Sequence, residues 1–275
     1  MKKIVYLVAL VAISLLFVQC EEQPCTCTPC PCVDNACTCG GNCDNNDNTD
    51  NTGNNGSSDF NTGDNGTKEE GIGVEAGHAY VDLGLPSGLK WATCNVGATV
   101  STDFGDYFAW GEVEPKTTYN WSTYKYCVDK YDNLTKYCSQ SSYGNNGFTD
   151  SKTVLDPEDD AAVVNWGGKW RMPTTVEQQE LVDNCTFLYT SKTDANGYAV
   201  FGGEVTGPNG NSIFLPAAGY MNGGYLGGVG SYGYCWSSSL VADDPFFAYY
   251  LILYSDDWYV GNIRYYGFSV RPVCP

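Results

Sequence analysis

The stretch DPEDDAAVVNWGGKWRMPTTVEQQELVDN, residues 156–184, decides the fold class because it contains two helix starts in succession. In the first, Asp156 precedes Pro157 and three further acids, which is typical of a capped N-terminus with acids at the positive helix end. The apolar residues Ala161, Val164 and Trp166 follow. In the second, residues 174–177 have the capping-box spacing. We predict one helix that begins at Asp156 and a second that runs to about residue 184.

Short β-like runs between turn residues surround these two helices. The predicted strands are residues 80–83, 89–92, 199–205, 212–216, 247–254 and 268–273. Gly-Pro-Asn-Gly at residues 207–210 has the composition of a hairpin connection. Two helices among many short strands predict a single α+β domain of about 200 residues. We place it at residues 77–275.

The N-terminus has the features of an export signal. Lys2 and Lys3 precede an uncharged apolar run, residues 4–18, which ends at Gln19-Cys20. This run is shorter than the roughly 20 apolar residues of a bilayer span. We therefore predict a lipoprotein signal peptide at residues 1–20, with Cys20 acylated and the chain attached to the membrane through its lipid. The alternatives are an uncleaved N-terminal anchor and a soluble secreted protein cut nearby.

Residues 21–76 are predicted to be a disordered tether, Cys-rich at first and then rich in Asn, Asp and Gly. Residues 42–67 are almost all Asn, Asp, Gly, Ser and Thr, with Phe60 the only large apolar residue among them. Such a segment cannot bury enough apolar surface to offset its conformational entropy. Its cysteines, between residues 25 and 43, have metallothionein-like spacing. In an oxidising compartment we favour a disulfide-linked stalk over a metal site.

The charge of the chain excludes one class of partner. The formal net charge is −18 and the pI is about 4.1. A nucleic-acid backbone requires a basic protein surface, so no nucleic-acid partner is expected. The same charge disfavours electrostatic docking on anionic lipid, which leaves the acyl anchor as the membrane contact.

Several phrases of the C-terminal domain resemble one family, the Fibrobacter succinogenes major paralogous domain. They are YVDLGLPSGLKWAT (80–93), GDYFAWGE (105–112), WRMPT (170–174), NSIFLPAAGY (211–220), WSSS (236–239) and GFSVRPV (267–273). The resemblance covers roughly residues 78–275. Members are typically surface or secreted proteins of gut bacteria, often lipoproteins. The family is related to the C-type lectin-like fold and, more distantly, to formylglycine-generating enzymes.

The resemblance implies a C-type lectin-like domain whose N- and C-terminal strands pair, with two flanking helices and a long irregular loop region. It does not imply either well-known activity of the fold. Cys235 and Cys274 stand in no motif of the copper-dependent generating enzymes, and the Glu-Pro-Asn and Trp-Asn-Asp sugar motifs of calcium-dependent lectins are not found.

Six further cysteines fall in the domain, and an exported chain is expected to pair them. We predict that Cys127 bonds to Cys138 across a local polar stretch. Cys94 is then expected to bond to Cys274 if the terminal strands pair, which leaves Cys185 with Cys235. Six cysteines allow 15 pairings, so other connectivities stay open.

No group of residues in the sequence predicts catalysis, a cofactor or a bound metal. His78 is the only histidine, and we interpret it as a solvated residue at the domain edge. The serines of residues 236–239 lack a nucleophile-elbow pattern and are interpreted as part of a strand that packs Trp236. The acids of residues 156–160 could bind calcium, but the helix start accounts for all four. Asp243-Asp244 and Asp256-Asp257 are interpreted as loop acids.

Aromatic residues are the most suggestive functional feature. They cluster at residues 119–126, at residues 220–234 and at Trp258-Tyr259. Sugar rings stack on aromatic faces, and tyrosine also anchors protein interfaces; most of these residues are expected to fill the core. We predict Trp121, Tyr225 and Trp258 as ligand-binding residues.

The expected function is non-catalytic binding of an extracellular glycan or protein by an outer-membrane lipoprotein at the cell surface. The alternatives are a structural or assembly subunit of a surface fibre or envelope complex, and an enzyme of unknown class.

Overall fold

The computed structural model describes residues 72–253 and 261–275. These residues form an α+β domain, as predicted. Its helices are α1 (Ala161–Trp166) and α2 (Thr175–Asn184). Its strands are β1 (Ile72–Glu75), β2 (His78–Asp82), β3 (Lys90–Ala92), β4 (Thr186–Thr193), β5 (Ala199–Thr206), β6 (Ser212–Pro216), β7 (Tyr220–Asn222), β8 (Tyr225–Gly227), β9 (Tyr234–Leu240), β10 (Phe247–Ile252), β11 (Asn262–Ile263) and β12 (Val273–Cys274). Single 3-10 turns lie at Trp121–Thr123, Asn145–Gly147 and Pro157–Asp159.

The two ends of the described chain pair in one antiparallel sheet, in the order β1-β2-β3-β12. Trp91 of β3 lies opposite Val81 on one side and Val273 on the other. All three side chains are buried, and they pack in one apolar cluster with Leu181 of α2 and Val205 of β5. This pairing of the terminal strands agrees with what the family resemblance implied.

Three further antiparallel sheets complete the domain, in the orders β4-β5-β6, β9-β10-β11 and β7-β8. Strand β9 runs through the core. Its Trp236 is fully buried and donates its indole N–H to the backbone oxygen of Phe108 at 2.8 Å. Trp110 donates in return to the backbone oxygen of Ser237, also at 2.8 Å. The interpretation of residues 236–239 as a strand that packs its tryptophan is therefore confirmed.

The two predicted helix starts have different outcomes. The capping box before α2 is confirmed, because Thr174 accepts from the Glu177 N–H and Glu177 accepts from the Thr174 N–H. The predicted start of the first helix at Asp156 is wrong. Residues Pro157–Asp159 form a 3-10 turn, and α1 begins at Ala161 with Asp160 as its N-cap. The extended backbone of Asp160 separates the two turns.

The predicted domain boundary also moves, because β1 lies within residues 21–76, which we assigned to the tether. Strand β1 pairs with β2 across the Ala76-Gly77 turn, where both residues have positive φ. The hairpin is held to the domain by Trp170, whose indole N–H donates to the backbone oxygen of Glu75 at 2.7 Å. The folded domain thus includes Ile72.

Residues 268–273 do not form the predicted continuous strand. Phe268 pairs with Phe108, Ser269 with Cys235, and only Val273 and Cys274 join the terminal sheet. A segment whose residues pair with different partners in turn cannot keep one ladder. Strand β10 is likewise shorter than predicted and ends at Ile252.

Arg271, in the middle of this segment, is fully buried and has no carboxylate among its hydrogen-bond acceptors. Its guanidinium donates to the side-chain oxygen of Asn95 (2.8 Å) and to the backbone oxygens of Ala92 (2.9 Å) and Phe214 (3.0 Å). Burial lowers its pKa to about 10, so the side chain stays charged at neutral pH. One side chain therefore connects the terminal sheet to β6.

We expect the Arg271→Met variant to lose about 3 kcal/mol of unfolding free energy, because it leaves three buried acceptors without donors. Chemical denaturation of the purified protein measures this change. Lys169→Met is the matched control, since it removes a cation from an exposed position. Equal stability of the two variants would contradict the role given to Arg271.

Candidate functional site

A continuous run of aromatic rings crosses the domain, and we call it the aromatic strip. Each ring contacts the next, with consecutive centroids 4.8 to 6.0 Å apart. In spatial order its members are Tyr232, Tyr234, Tyr220, Tyr266, Tyr265, Trp121, Phe246 and Tyr131. The two end residues are exposed, Tyr232 by 37% and Tyr131 by 48%. The six rings between them are half-buried.

Distant parts of the chain supply these rings. Tyr220 and Tyr234 open β7 and β9, and Trp121 opens a 3-10 turn. Strand β7 pairs with β8 on one side; on the other, backbone bridges join Met221 to Gly267 and, directly after the strand, Gly223 to Tyr119. The Tyr220 and Tyr234 rings are therefore carried by paired backbone, whereas the other strip rings lie on turns and other irregular backbone.

Two adjacent glycines make room for the rings at one end of the strip. A Cβ atom on Gly227 would lie 2.7 Å from a Tyr225 ring carbon and 3.0 Å from one of Tyr220. Gly228 has a φ of +72°, and a Cβ there would lie 3.0 Å from the Tyr232 ring. Tyr225, which is 67% exposed, thus stands beside Tyr220, towards the Tyr232 end of the strip.

Charged groups lie near one end of the strip, where Lys130 and Asp132 flank Tyr131 as an ion pair and Asp244 accepts from the Phe246 N–H; the other polar groups described next are uncharged. Asn222 donates to the Tyr266 hydroxyl at 3.1 Å, and Asn120 accepts from Ser122 and from the Thr123 N–H next to Trp121. Burial raises the pKa of Tyr234 to about 12 and also raises the pKa of Tyr265. Both hydroxyls therefore keep their protons at neutral pH and can donate hydrogen bonds.

Arg264 lies fully buried next to the strip and is enclosed by backbone oxygens and rings. It donates to the Tyr124 hydroxyl at 2.9 Å and to the backbone oxygens of Tyr137 (2.9 Å), Pro245 (3.0 Å) and Lys136 (3.1 Å). Its guanidinium carbon lies 4.9 Å from the Trp110 ring centroid. Such a contact adds cation–π attraction to the hydrogen bonds.

Asp159 is the anionic counterpart of this buried region and is only 2% exposed. It accepts from the hydroxyls of Tyr126 and Tyr137 and from the ammonium groups of Lys125 and Lys136. Burial alone would raise its pKa, but these donors outweigh burial and lower the pKa to about 2. The interpretation of all four acids of residues 156–160 as a helix start is therefore wrong for Asp159.

The same acids do not form an open cation site. The side-chain oxygens of Asp156, Glu158 and Asp159 lie close together. The Lys136 ammonium stands among them, 2.6 Å from Asp156, 3.6 Å from Glu158 and 2.5 Å from Asp159. The protein's own cation thus takes the position that calcium would need.

A cavity of about 270 Å³ lies beside α1, lined mainly by apolar residues such as Val154, Leu155 and Met172. Its buried carboxyl, Asp160, already accepts from the N–H groups of Ala162, Val163 and Met172. Burial raises the pKa of Asp160. With its acceptor oxygens engaged in the cap of α1, this carboxyl has a structural role.

His78 is not the solvated residue that we predicted. Its ring stacks on Trp166 of α1, with centroids 3.9 Å apart and planes 4° apart. Partial burial lowers its pKa, which favours the neutral form. The stack attaches β2 to α1.

All six cysteines of the described residues are free thiols, which differs from the three predicted disulfides. The β3–β12 register places Cys274 opposite Lys90. Because Lys90 is four positions along the chain from Cys94, Cys274 does not meet Cys94. Cys127 and Cys138 each donate to a backbone oxygen of their own loop, those of Lys130 and Gln140. Cys185 and Cys235 belong to one apolar cluster.

Two of the three predicted ligand-binding residues fall at the aromatic strip. Trp121 is one of its rings, and Tyr225 stands at one end. Trp258 lies outside the described residues, as do Cys20, residues 25–43 and Asp256-Asp257. The sequence analysis missed Tyr131, Phe246, Tyr265 and Tyr266 as strip residues. The sequence signal that could have identified two of them is the Tyr265-Tyr266 pair directly after an arginine, because the chain has only 14 Lys and Arg.

No family model, curated protein or solved structure matches this chain. The resemblance to the Fibrobacter succinogenes major paralogous domain therefore rests on the sequence phrases alone. Neither described helix has the length and apolar character that a membrane span requires.

We expect Asp159→Asn to destabilise the protein by about 3 kcal/mol at neutral pH, because Lys125 loses its anionic partner, Lys136 loses one of three, and two buried tyrosine hydroxyls lose a charged acceptor. The pKa of Asp159 is lower in the folded chain than its unfolded value of about 4. Its contribution is therefore present above about pH 4 and is lost as the pH falls towards 2. Urea denaturation across this range should show a weaker pH dependence in the variant.

Glu158→Gln is the control for this experiment. The Glu158 side chain is largely exposed and lies farther from Lys136 than its two neighbours do. An unchanged pH dependence in Asp159→Asn would show that the Asp159 network does not stabilise the fold.

Proposed function

We propose that this chain is a cell-surface lipoprotein that binds an extracellular glycan along the aromatic strip, without catalysing a reaction on it. The observation that carries the proposal is the unbroken contact of eight rings, with exposed rings at both ends and Tyr225 beside one of them.

The chemistry of the strip suits sugars. The C–H faces of sugar rings are apolar and pack on aromatic rings, while their hydroxyls need uncharged donors and acceptors. The strip offers tyrosine hydroxyls and the side chain of Asn222. Its rings are packed against one another before any ligand arrives, so little side-chain entropy is lost on binding.

The proposal places this domain outside the cell. Cys20 would carry the lipid, and the acidic residues after Cys20 motivate display on the outer face of the outer membrane. The α+β architecture and the paired terminal strands are compatible with the C-type lectin-like fold that the family resemblance implies. The binding surface proposed here does not use the calcium chemistry of that fold.

The second candidate is an assembly subunit, and one observation favours it. Strand β4 is at the edge of its sheet, and Leu188, Phe201 and Tyr198 on this β4–β5 hairpin are exposed. An exposed edge with apolar side chains can accept a strand from another chain. An enzyme has less support, since the one histidine, His78, stacks on a tryptophan and is not hydrogen-bonded to a nucleophile in the described residues.

We expect Tyr225→Ala to weaken glycan binding about fivefold or more, because an exposed ring at the site is lost without disturbing the core. A glycan array followed by calorimetry on the strongest glycan measures the effect. Tyr198→Ala is the matched control, since Tyr198 is 72% exposed and lies outside the strip.

Trp121→Ala should also weaken binding, but Trp121 packs on Tyr124, Phe246 and Tyr265. Its melting temperature must therefore be measured in parallel. Equal binding by wild type, Tyr225→Ala and Tyr198→Ala would reject the strip as the binding surface. A stable complex with a protein at the β4 edge, with no glycan bound, would favour the assembly function.

Membrane attachment is tested at Cys20. Metabolic labelling with a clickable fatty-acid analogue should label the wild type and leave Cys20→Ser unlabelled, because acylation requires the thiol. Protease added to intact cells should digest the wild-type domain if it is displayed outside. Wild-type protein that stays unlabelled and fractionates with the cytosol would refute the proposed anchor and location together.

A further inference from the structure

We infer that the ligand of the aromatic strip is an uncharged, extended polysaccharide segment that contacts several rings at once. The inference rests on the proposed function and narrows it to one class of glycan. Two properties of the described residues support it: the distribution of cations around the strip, and the number and order of its rings.

An acidic glycan needs a free cation to meet its carboxylate or sulfate groups. The four lysines around the strip each contact a carboxylate. Lys116 contacts Glu112 at 2.8 Å, and Lys130, next to Tyr131, contacts Asp132 at 3.1 Å. Lys125 and Lys136 both contact Asp159.

Arg264 also stands directly before a strip residue, Tyr265, but it is fully buried. Its donors go to backbone oxygens and to the Tyr124 hydroxyl. A ligand at the surface of the strip thus meets rings, amides, the Lys130–Asp132 ion pair beside Tyr131 and the Asp244 carboxylate but, among the described residues, no fully exposed cation that lacks a carboxylate partner. The net charge of −18 adds a repulsion for any polyanion that approaches, strongest at low ionic strength.

The extent of the strip indicates more than one sugar unit. A single pyranose ring is similar in size to one tyrosine ring, so it can cover only a small part of a run of eight. Six rings of the strip lie between its exposed ends, Tyr232 and Tyr131. Tyr225 stands near the Tyr232 end. Contacts that act together along one chain raise the affinity as the chain lengthens.

The test uses the purified full-length protein and oligosaccharides of defined length. The neutral probes are hexasaccharides of β-1,4-glucan, β-1,4-mannan and β-1,4-xylan, each with its disaccharide. The acidic probes are hexamers of galacturonate and chondroitin sulfate. Calorimetry at low and at physiological ionic strength gives each Kd.

We expect at least one neutral hexasaccharide to bind about tenfold more tightly than its disaccharide, with a Kd that salt does not change. Tyr131→Ala should weaken the hexasaccharide about fivefold and leave the disaccharide unchanged if the latter binds at the Tyr225 end. Tyr225→Ala should weaken both. Tyr198→Ala should change neither.

Two results would overturn this inference and leave the proposed function standing: tighter binding of an acidic hexamer, weakened by salt, or equal Kd values for disaccharide and hexasaccharide. Failure of every hexasaccharide to bind would refute the glycan-binding function itself. The salt series and the length series therefore separate the two failures.

Discussion

The buried guanidinium of Arg264 is the constraint on which the rest of the aromatic region depends. A charged group without water must find hydrogen-bond acceptors on every side. Arg264 finds three backbone oxygens and one phenol, but no carboxylate. The compensating anion is one residue away: Tyr137 accepts from Arg264 through its backbone oxygen and donates to Asp159 through its hydroxyl. Two buried charges are thus joined through one tyrosine and fix an otherwise irregular loop.

The same guanidinium positions the aromatic strip. It binds the backbone oxygen of Pro245, directly before Phe246, and the hydroxyl of Tyr124, whose ring contacts Trp121 at 5.6 Å. It is itself followed by Tyr265. Three strip rings from separate parts of the chain are therefore held in place by one side chain. The buried charge thus orders an aromatic surface whose rings lie largely on turns.

Local signals in the sequence predicted the parts of the fold that local interactions determine. The capping box of α2 and strand β6, at residues 212–216, are confirmed because their residues satisfy one another within a few positions. Asp156 looked like a helix cap by the same local rule. Its neighbour Asp159 instead bonds to Tyr126, Tyr137 and two lysines at positions far from it in sequence, so α1 begins later. Contacts at that distance leave no periodicity that a single sequence reveals.

The residues of the candidate site likewise fall into those that local sequence predicts and those that depend on long-range contacts. Tyr225 was predictable because the glycines on both sides of it have no side chains to cover its ring. Phe246, Tyr265 and Tyr266 were not predictable, since their role lies in contacts with rings from other segments.

Those contacts also limit which residues of the strip can be substituted. A half-buried ring within the strip supports its two neighbours, so its loss disturbs packing and binding together. Tyr225 and Tyr131 are exposed at the ends, and their substitution leaves the packed rings in place. Under the proposed function, ligand specificity can therefore change at the ends of the strip without a change of fold, whereas the rings in its middle are fixed by the packing that stabilises the domain.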